Sequence, residues 1–123
     1  MSKKILIADD EPSIVAAVAF LLQRSGYEVH VARDGDEALK LVEACSPDLV
    51  LLDVMMPLRS GYEVCKRIRE RPAWRHIKII MLSAKGRDAE VTKGLAIGAD
   101  LYVTKPFSTR DLMDKISTLL EAA

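Results

Sequence analysis

Pro47-Asp48-Leu49-Val50-Leu51-Leu52-Asp53-Val54-Met55-Met56-Pro57 is a short apolar run that stops at a carboxylate. Residues 49–52 are apolar without interruption between turn formers, the pattern of a central parallel strand buried on both faces. Ligands of open α/β sheets gather at the carboxyl ends of such strands. The run therefore delivers Asp53 to the edge where a site would form.

Working outward, Ser60-Gly61-Tyr62-Glu63 reads as a capping box opening a helix that carries Val64, Cys65 and Ile68 and closes at Arg71-Pro72. Upstream, a strand over 27–32 is followed by Asp34-Gly35-Asp36-Glu37, an N-cap with an acid three residues later. The helix it opens carries Ala38, Leu39, Leu41 and Val42 and ends at Ser46-Pro47. The first strand, 5–8, runs into Asp9-Asp10-Glu11-Pro12, where Pro12 suits a first helical turn because its missing N–H has no intrahelical partner there. Ile14, Val15, Val18, Leu21 and Leu22 recur at helical spacing until Gly26, a left-handed cap.

Downstream, a fourth strand over 77–82 brings Ser83 to the edge that receives Asp53. A weakly apolar helix is predicted over 88–97, loosened by Gly94. The fifth strand is 101–104, with Lys105-Pro106 its exit. Ser108-Thr109-Arg110-Asp111 caps a last helix with Leu112, Ile116, Leu119 and Leu120 on one face. Strands alternating with helices, without linker or repeat, predict an α/β fold: one domain over 1–123 with a five-stranded parallel sheet and helices on both faces; handedness leaves few topologies, and the common order 2-1-3-4-5 is the one expected. Strands one and three are then central neighbours whose connections leave in opposite directions. The crevice between them collects Asp9, Asp10 and Asp53.

Composition narrows the function. A chain of 123 residues, 50% hydrophobic and 29% charged, is an ordinary globular domain rather than a disordered one. With 18 Lys+Arg against 18 Asp+Glu, a dedicated nucleic-acid surface is not expected. Met1-Ser2-Lys3-Lys4 leads into an apolar stretch too brief for a signal core or a membrane span, so the expected location is the cytoplasm. Cys45 and Cys65 lack metal or redox spacing and read as small buried hydrophobes. His30 and His76 have no acid or thiol at ligand spacing and read as structural or surface residues. Arg71, Trp74, Arg75 and His76, with Lys66, Arg67 and Arg69, read as a solvated face with Trp74 packed over the sheet edge.

Three carboxylates in one crevice repel each other unless a cation joins them. All-oxygen ligation completed by water suits Mg²⁺, which commonly bridges protein to phosphate. Lys105 arrives at the same edge with an ammonium, and Ser83 with a hydroxyl. Metal, carboxylate nucleophile, ammonium and hydroxyl together are what phosphoryl transfer requires.

Residues 5–11, Ile5-Leu6-Ile7-Ala8-Asp9-Asp10-Glu11, together with Leu51-Leu52-Asp53-Val54-Met55-Met56-Pro57 and Gly61, Ser83-Ala84, and Lys105-Pro106-Phe107, resemble the motifs of the receiver domains of two-component response regulators. The resemblance spans essentially the whole chain. It implies that Asp53 accepts a phosphoryl group from a histidine kinase, a histidine phosphotransfer protein or a small phosphodonor. Mg²⁺ would be held by Asp10, Asp53 and the Met55 carbonyl, with Asp9 acting through water. Lys105 would pair with the phosphoryl group and Ser83 would swing in to hydrogen-bond it, while Tyr102 turns inward as the switch aromatic. The Lys105-Pro106 bond would be cis. The output would be a change at the surface of residues 88–97 and the fifth strand, read by a downstream effector domain or protein. Such a domain is no enzyme beyond catalysing its own phosphorylation and dephosphorylation.

Leu101 and Val91 stand where the DNA-binding branch of that family often carries charged dimer-face residues, so homodimerisation stays open, and the chain reads as a stand-alone receiver or one cut from a larger protein. A Mg²⁺-dependent phosphatase with an Asp nucleophile would use similar chemistry but wants a second Asp where Met55 stands. A flavin-binding protein of this fold would need a Gly/Ser/Thr phosphate loop in place of Asp9-Asp10-Glu11.

Overall fold

The computed structural model describes residues 2–83 and 97–121. Five strands, β1 (Lys4–Ala8), β2 (Glu28–Ala32), β3 (Leu49–Asp53), β4 (Lys78–Ser83) and β5 (Leu101–Thr104), form one sheet in the order β2-β1-β3-β4-β5. Every neighbouring pair is parallel. The described helices are α1 (Pro12–Arg24), α2 (Gly35–Cys45), α3 (Gly61–Glu70) and α4 (Thr109–Glu121), with a 3₁₀ turn at Pro72–Trp74. The helix predicted over 88–97 lies outside the described residues but for its last position. Among the described residues no helix is long and apolar enough to cross a membrane.

Strand alternation sorts the apolar runs into two cores. Leu6, Ala8, Val50, Leu52, Ile79 and Met81 pack with Val42 of α2 and Val64, Cys65 and Ile68 of α3. Ile5, Ile7, Leu49, Leu51, Ile80 and Leu82 pack with Val18 and Leu22 of α1 and Leu112, Ile116 and Leu120 of α4. Because each central strand feeds both cores, its sequence is continuously apolar rather than alternating. All five residues of β3, Asp53 included, are buried.

The helix ends follow the local chemistry. Pro12 occupies the start of α1, and Gly26, at φ 93°, closes it: the Gly26 N–H donates to Gln23 O and the Tyr27 N–H to Leu22 O, a Schellman motif. The Asp34 carboxylate accepts from the Glu37 N–H at 2.8 Å, and Ser46 ends α2 at φ 48°. The box expected at Ser60 is only half made. Ser60 Oγ accepts from the Glu63 N–H at 3.3 Å, but the Glu63 carboxylate turns to Arg59, 2.7 Å from its guanidinium. A charged partner one helical turn back outcompetes a neutral backbone donor.

Arg69 does not belong to a solvated basic face. Its guanidinium donates to Gly98 O at 2.8 Å, to Ile77 O at 2.7 Å and to Asp100 at 2.9 Å, and the same Asp100 oxygen accepts from the Ile79 N–H at 2.7 Å. This ties α3 to the entries of β4 and β5. Trp74 packs against the α2–α3 core with Arg71 stacked 4.4 Å above its ring.

Candidate metal and carboxylate centre

The carboxyl ends of β1, β3 and β5 place four charged side chains together. Asp9 and Asp10 follow β1 directly, Asp53 ends β3, and Lys105 follows β5. Asp9 is fully buried and Asp53 4% exposed, whereas Asp10 faces solvent. One oxygen from each of the three acids lies within 4.8 Å of the other two. The Lys105 ammonium reaches Asp9 Oδ2 at 3.0 Å, Glu11 Oε1 at 3.1 Å and Asp53 Oδ2 at 3.5 Å.

The acids are oriented by backbone donors. Asp9 Oδ1 accepts from the Glu11 N–H at 2.9 Å, and Asp53 Oδ1 accepts from the Met55 N–H at 3.1 Å. The loop after β3 is held from outside: Gly61 N–H donates to Val54 O at 2.9 Å, and Gly35 N–H to Pro57 O at 3.2 Å. Arg59 pairs with both Asp36 and Glu63, so α2 and α3 clamp the loop between them. Leu58, in the same loop, has φ 69° and is exposed, a left-handed conformation costing about 1–2 kcal/mol for a residue with a Cβ.

Burial pushes the Asp53 carboxyl up to about 6, with repulsion from Asp9 adding to it and with Lys105 and the Met55 N–H opposing. Lys105 is raised as well. Burial, the largest single influence, works against its charge, but the hydrogen bonds to Asp9 and Glu11 and the nearby acid charges together overturn it. Among the described residues one ammonium serves the buried acids and Glu11 alike.

That donor set fits a divalent cation. Oxygen ligands opposite each other around Mg²⁺ stand roughly 4.2 Å apart, so a 4.8 Å span is closed by a small movement or by one intervening water. A cleft of about 240 Å³ opens beside Asp9 and Asp10, bounded by Val15, Ala16 and Arg33. A larger groove of about 370 Å³ lies between α2 and α3 beside Trp74, where acids and bases alternate and no carboxylates converge.

The other residues singled out in the sequence are near by in varying degree. Ser83 ends β4, is buried, and its carbonyl accepts the Lys105 N–H at 2.6 Å. Tyr102, paired with Met81, sits two residues back along β5 and packs against the α2–α3 core. The Lys105–Pro106 bond is cis. Lys105 lies closer to Asp9 and Glu11 than to Asp53, and in the sequence Glu11 stands out only as part of the acidic motif. Its place, two residues after Asp9 and before the helix-opening Pro12, is the available signal.

Comparison with known proteins settles the family. The response regulator receiver domain model matches residues 5–117. The chain belongs to that family. This receiver domain is 48% identical over 120 residues to the alkaline phosphatase synthesis transcriptional regulatory protein PhoP of Bacillus subtilis, covering 98% of the chain and 49% of that protein. The chain thus spans about half the length of this curated relative. Among solved structures, the chemotaxis response regulator CheY4 of Vibrio cholerae superposes with TM-score 0.91 at 33% identity, over 97% of this chain and 99% of that one. The BeF₃-activated N-terminal receiver domain of RstA from Klebsiella pneumoniae superposes with TM-score 0.89 at 28% identity, over 96% and 98%. The fold is the flavodoxin-like arrangement expected from the strand order, and its place is in two-component signalling.

His30 requires a correction. It is not without companions: Nε2 lies 2.7 Å from Glu28 and Nδ1 3.6 Å from the Cys45 thiol. Cys65 is the buried hydrophobe expected, and burial pushes its thiol up to about 11.

Proposed function

We propose that this receiver domain takes a phosphoryl group onto Asp53 from a phosphohistidine of a histidine kinase or histidine phosphotransfer protein, or from a small phosphodonor. The observation that carries this reading is the meeting of Asp9, Asp10 and Asp53 within 4.8 Å beside a shared ammonium. Asp53 is the nucleophile: a bond forms from its carboxylate to phosphorus as the bond to the donor breaks, P–N for a phosphohistidine, whose imidazole leaves, or P–O for acetyl phosphate, whose acetate leaves. Asp10, Asp53 and the Met55 carbonyl would hold Mg²⁺. Asp9, already bonded to Lys105 and the Glu11 N–H, would act through water, as in the receiver family. Mg²⁺, when bound, supplies the positive charge that offsets the crowded acids and the incoming phosphoryl oxygens.

Phosphorylation replaces a carboxylate by a group of roughly −1.5 to −2 charge with several acceptors, which favours any donor that moves closer. Lys105 shifts from Asp9 toward the phosphoryl oxygens, and Ser83 turns its hydroxyl to them. The backbone bond between Ser83 and Lys105 couples the two. Tyr102 follows on the same sheet face, and the surface of residues 88–97 and β5 carries the change to a downstream effector domain or protein. The domain catalyses only its own phosphorylation and dephosphorylation, and acts in the cytoplasm. All of it lies within one receiver unit over 1–123.

Incubation with Mg²⁺ and acetyl phosphate is expected to add one phosphoryl group to wild type and none to Asp53→Asn, read by intact mass. Equal labelling of the two proteins would remove Asp53 from this role. Mg²⁺ affinity carries a further signature. Since Asp53 titrates at about 6 and must be ionised to bind, the Mg²⁺ dissociation constant is expected to be about tenfold weaker at pH 5 than at pH 7 by calorimetric titration. A constant affinity across that interval would exclude Asp53 as a ligand.

A further inference from the structure

A second cluster of reactive groups lies on the edge strand β2 and at the end of α2. Glu28 Oε2 stands 2.7 Å from His30 Nε2, and His30 Nδ1 stands 3.6 Å from Cys45 Sγ. The Glu28 carboxyl is held below its usual range, chiefly by this bond to His30. An ionised carboxylate can only accept, so His30 Nε2 carries the proton. In the tautomer that this bond selects, Nδ1 presents its lone pair 3.6 Å from Cys45 Sγ, where the S–H can donate to it. A carboxylate orients an imidazole, and the imidazole faces a thiol, the order of parts that activates nucleophilic cysteines.

The site is reachable. The His30 side chain is 31% exposed, and Cys45 is half-buried rather than enclosed like Cys65. One effect works against it: Cys45 is the last residue of α2, where the helix dipole disfavours negative charge on sulfur by about 0.3–1 kcal/mol. The Lys4 ammonium, donating to the Cys45 carbonyl at 3.2 Å, offsets that field.

We propose that Cys45, His30 and Glu28 form an oxidation site for hydroperoxides, of which hydrogen peroxide is the smallest. The Cys45 sulfur attacks one peroxide oxygen while His30 Nδ1 takes the thiol proton, and the O–O bond breaks. The departing hydroxide collects that proton as water. Sulfur loses two electrons and becomes sulfenic acid, and the peroxide gains them. The chemistry needs neither Asp53 nor a metal, so it is an input separate from phosphorylation.

The test treats the native protein with hydrogen peroxide and dimedone and follows adducts by peptide mass mapping. Cys45 is expected to be trapped about tenfold faster in wild type than in His30→Ala, with Glu28→Gln between them, and faster in the native chain than in the same chain unfolded in urea. Equal rates in wild type and both variants, adduct on Cys65 alone, or faster trapping of the unfolded chain would each overturn the proposal. Glu28 is exposed, so Glu28→Gln keeps the test decisive even if His30→Ala fails to fold.

Discussion

Gly61→Ala is expected to destabilise the domain by about 3 kcal/mol, at the upper end of overpacking costs. A Cβ at this position would stand 2.2 Å from the Asp53 carbonyl oxygen, 2.9 Å from the Asp53 carbonyl carbon and 3.0 Å from Val54 Cα. All three are backbone atoms, so no side-chain rotation relieves the clash. Either α3 draws back, losing the Gly61-to-Val54 hydrogen bond of 2.9 Å, or the end of β3 moves and carries Asp53 out of the acid crevice. The second route predicts slower labelling of Asp53 by acetyl phosphate along with the lost stability. Gly26 is the internal control. Its φ of 93° strains any Cβ, but nothing lies within 4 Å, so Gly26→Ala is expected to cost only about 1–2 kcal/mol. Urea unfolding of both variants checks the ranking; a Gly61→Ala protein as stable as Gly26→Ala would mean the approach of α3 to β3 is not enforced.

The contrast marks what a sequence can and cannot disclose. The apolar run at Leu49 to Leu52 was readable because a strand covered on both faces has no polar positions to interrupt it. Alternation and handedness leave few topologies, and the common order 2-1-3-4-5 among them is the one that brings Asp9, Asp10 and Asp53 together. Within that meeting, the preference of Lys105 for Asp9 and Glu11 over Asp53 is a matter of half an ångström, set by how β5 sits on β4 and by no local pattern. Glu63 has the spacing of a capping box yet bonds Arg59, because spacing does not say which of two partners wins. Arg69 with Asp100, and His30 with Cys45, are joined across long stretches of chain that only the packed crossovers bring together. Periodicity describes faces; it is blind to contacts between polar tips on different elements.

The crowding of the acids leads to a result opposite in sign to ordinary loss of a site residue: Asp53→Asn is expected to stabilise the metal-free domain at pH 7. The Asp53 carboxyl rises from 3.8 to about 6 on folding, mainly because burial disfavours its charge, with Asp9 adding repulsion. Between those values the folded chain holds a proton that the unfolded chain has released. Stability therefore falls as pH rises through this window, by up to about 3 kcal/mol, and the whole penalty is present above pH 6. Asparagine keeps the shape and removes the charge. The value of about 6 is already net of Lys105, which keeps Asp9 and Glu11 in the variant; the amide donors that replace one carboxylate oxygen in this buried site trim the gain to about 1–2 kcal/mol. The excess stability of Asp53→Asn over wild type should be largest at pH 7, much smaller at pH 4 and gone below the unfolded value of 3.8. Added Mg²⁺ should shrink it at pH 7, since a ligand that binds the folded state stabilises wild type in proportion to its affinity, and the variant lacks one of the carboxylates. Thermal melts at pH 4 and pH 7, with and without Mg²⁺, measure all four states. If the variant were less stable than wild type at pH 7, or its advantage independent of pH, the Asp53 carboxylate would not be the strained charge of this crevice. A buried carboxylate destabilised by its own charge is one that an added cation would relieve, and in that sense the instability of Asp53 at rest and the proposed movement of Lys105 toward a phosphoryl group would have one electrostatic origin.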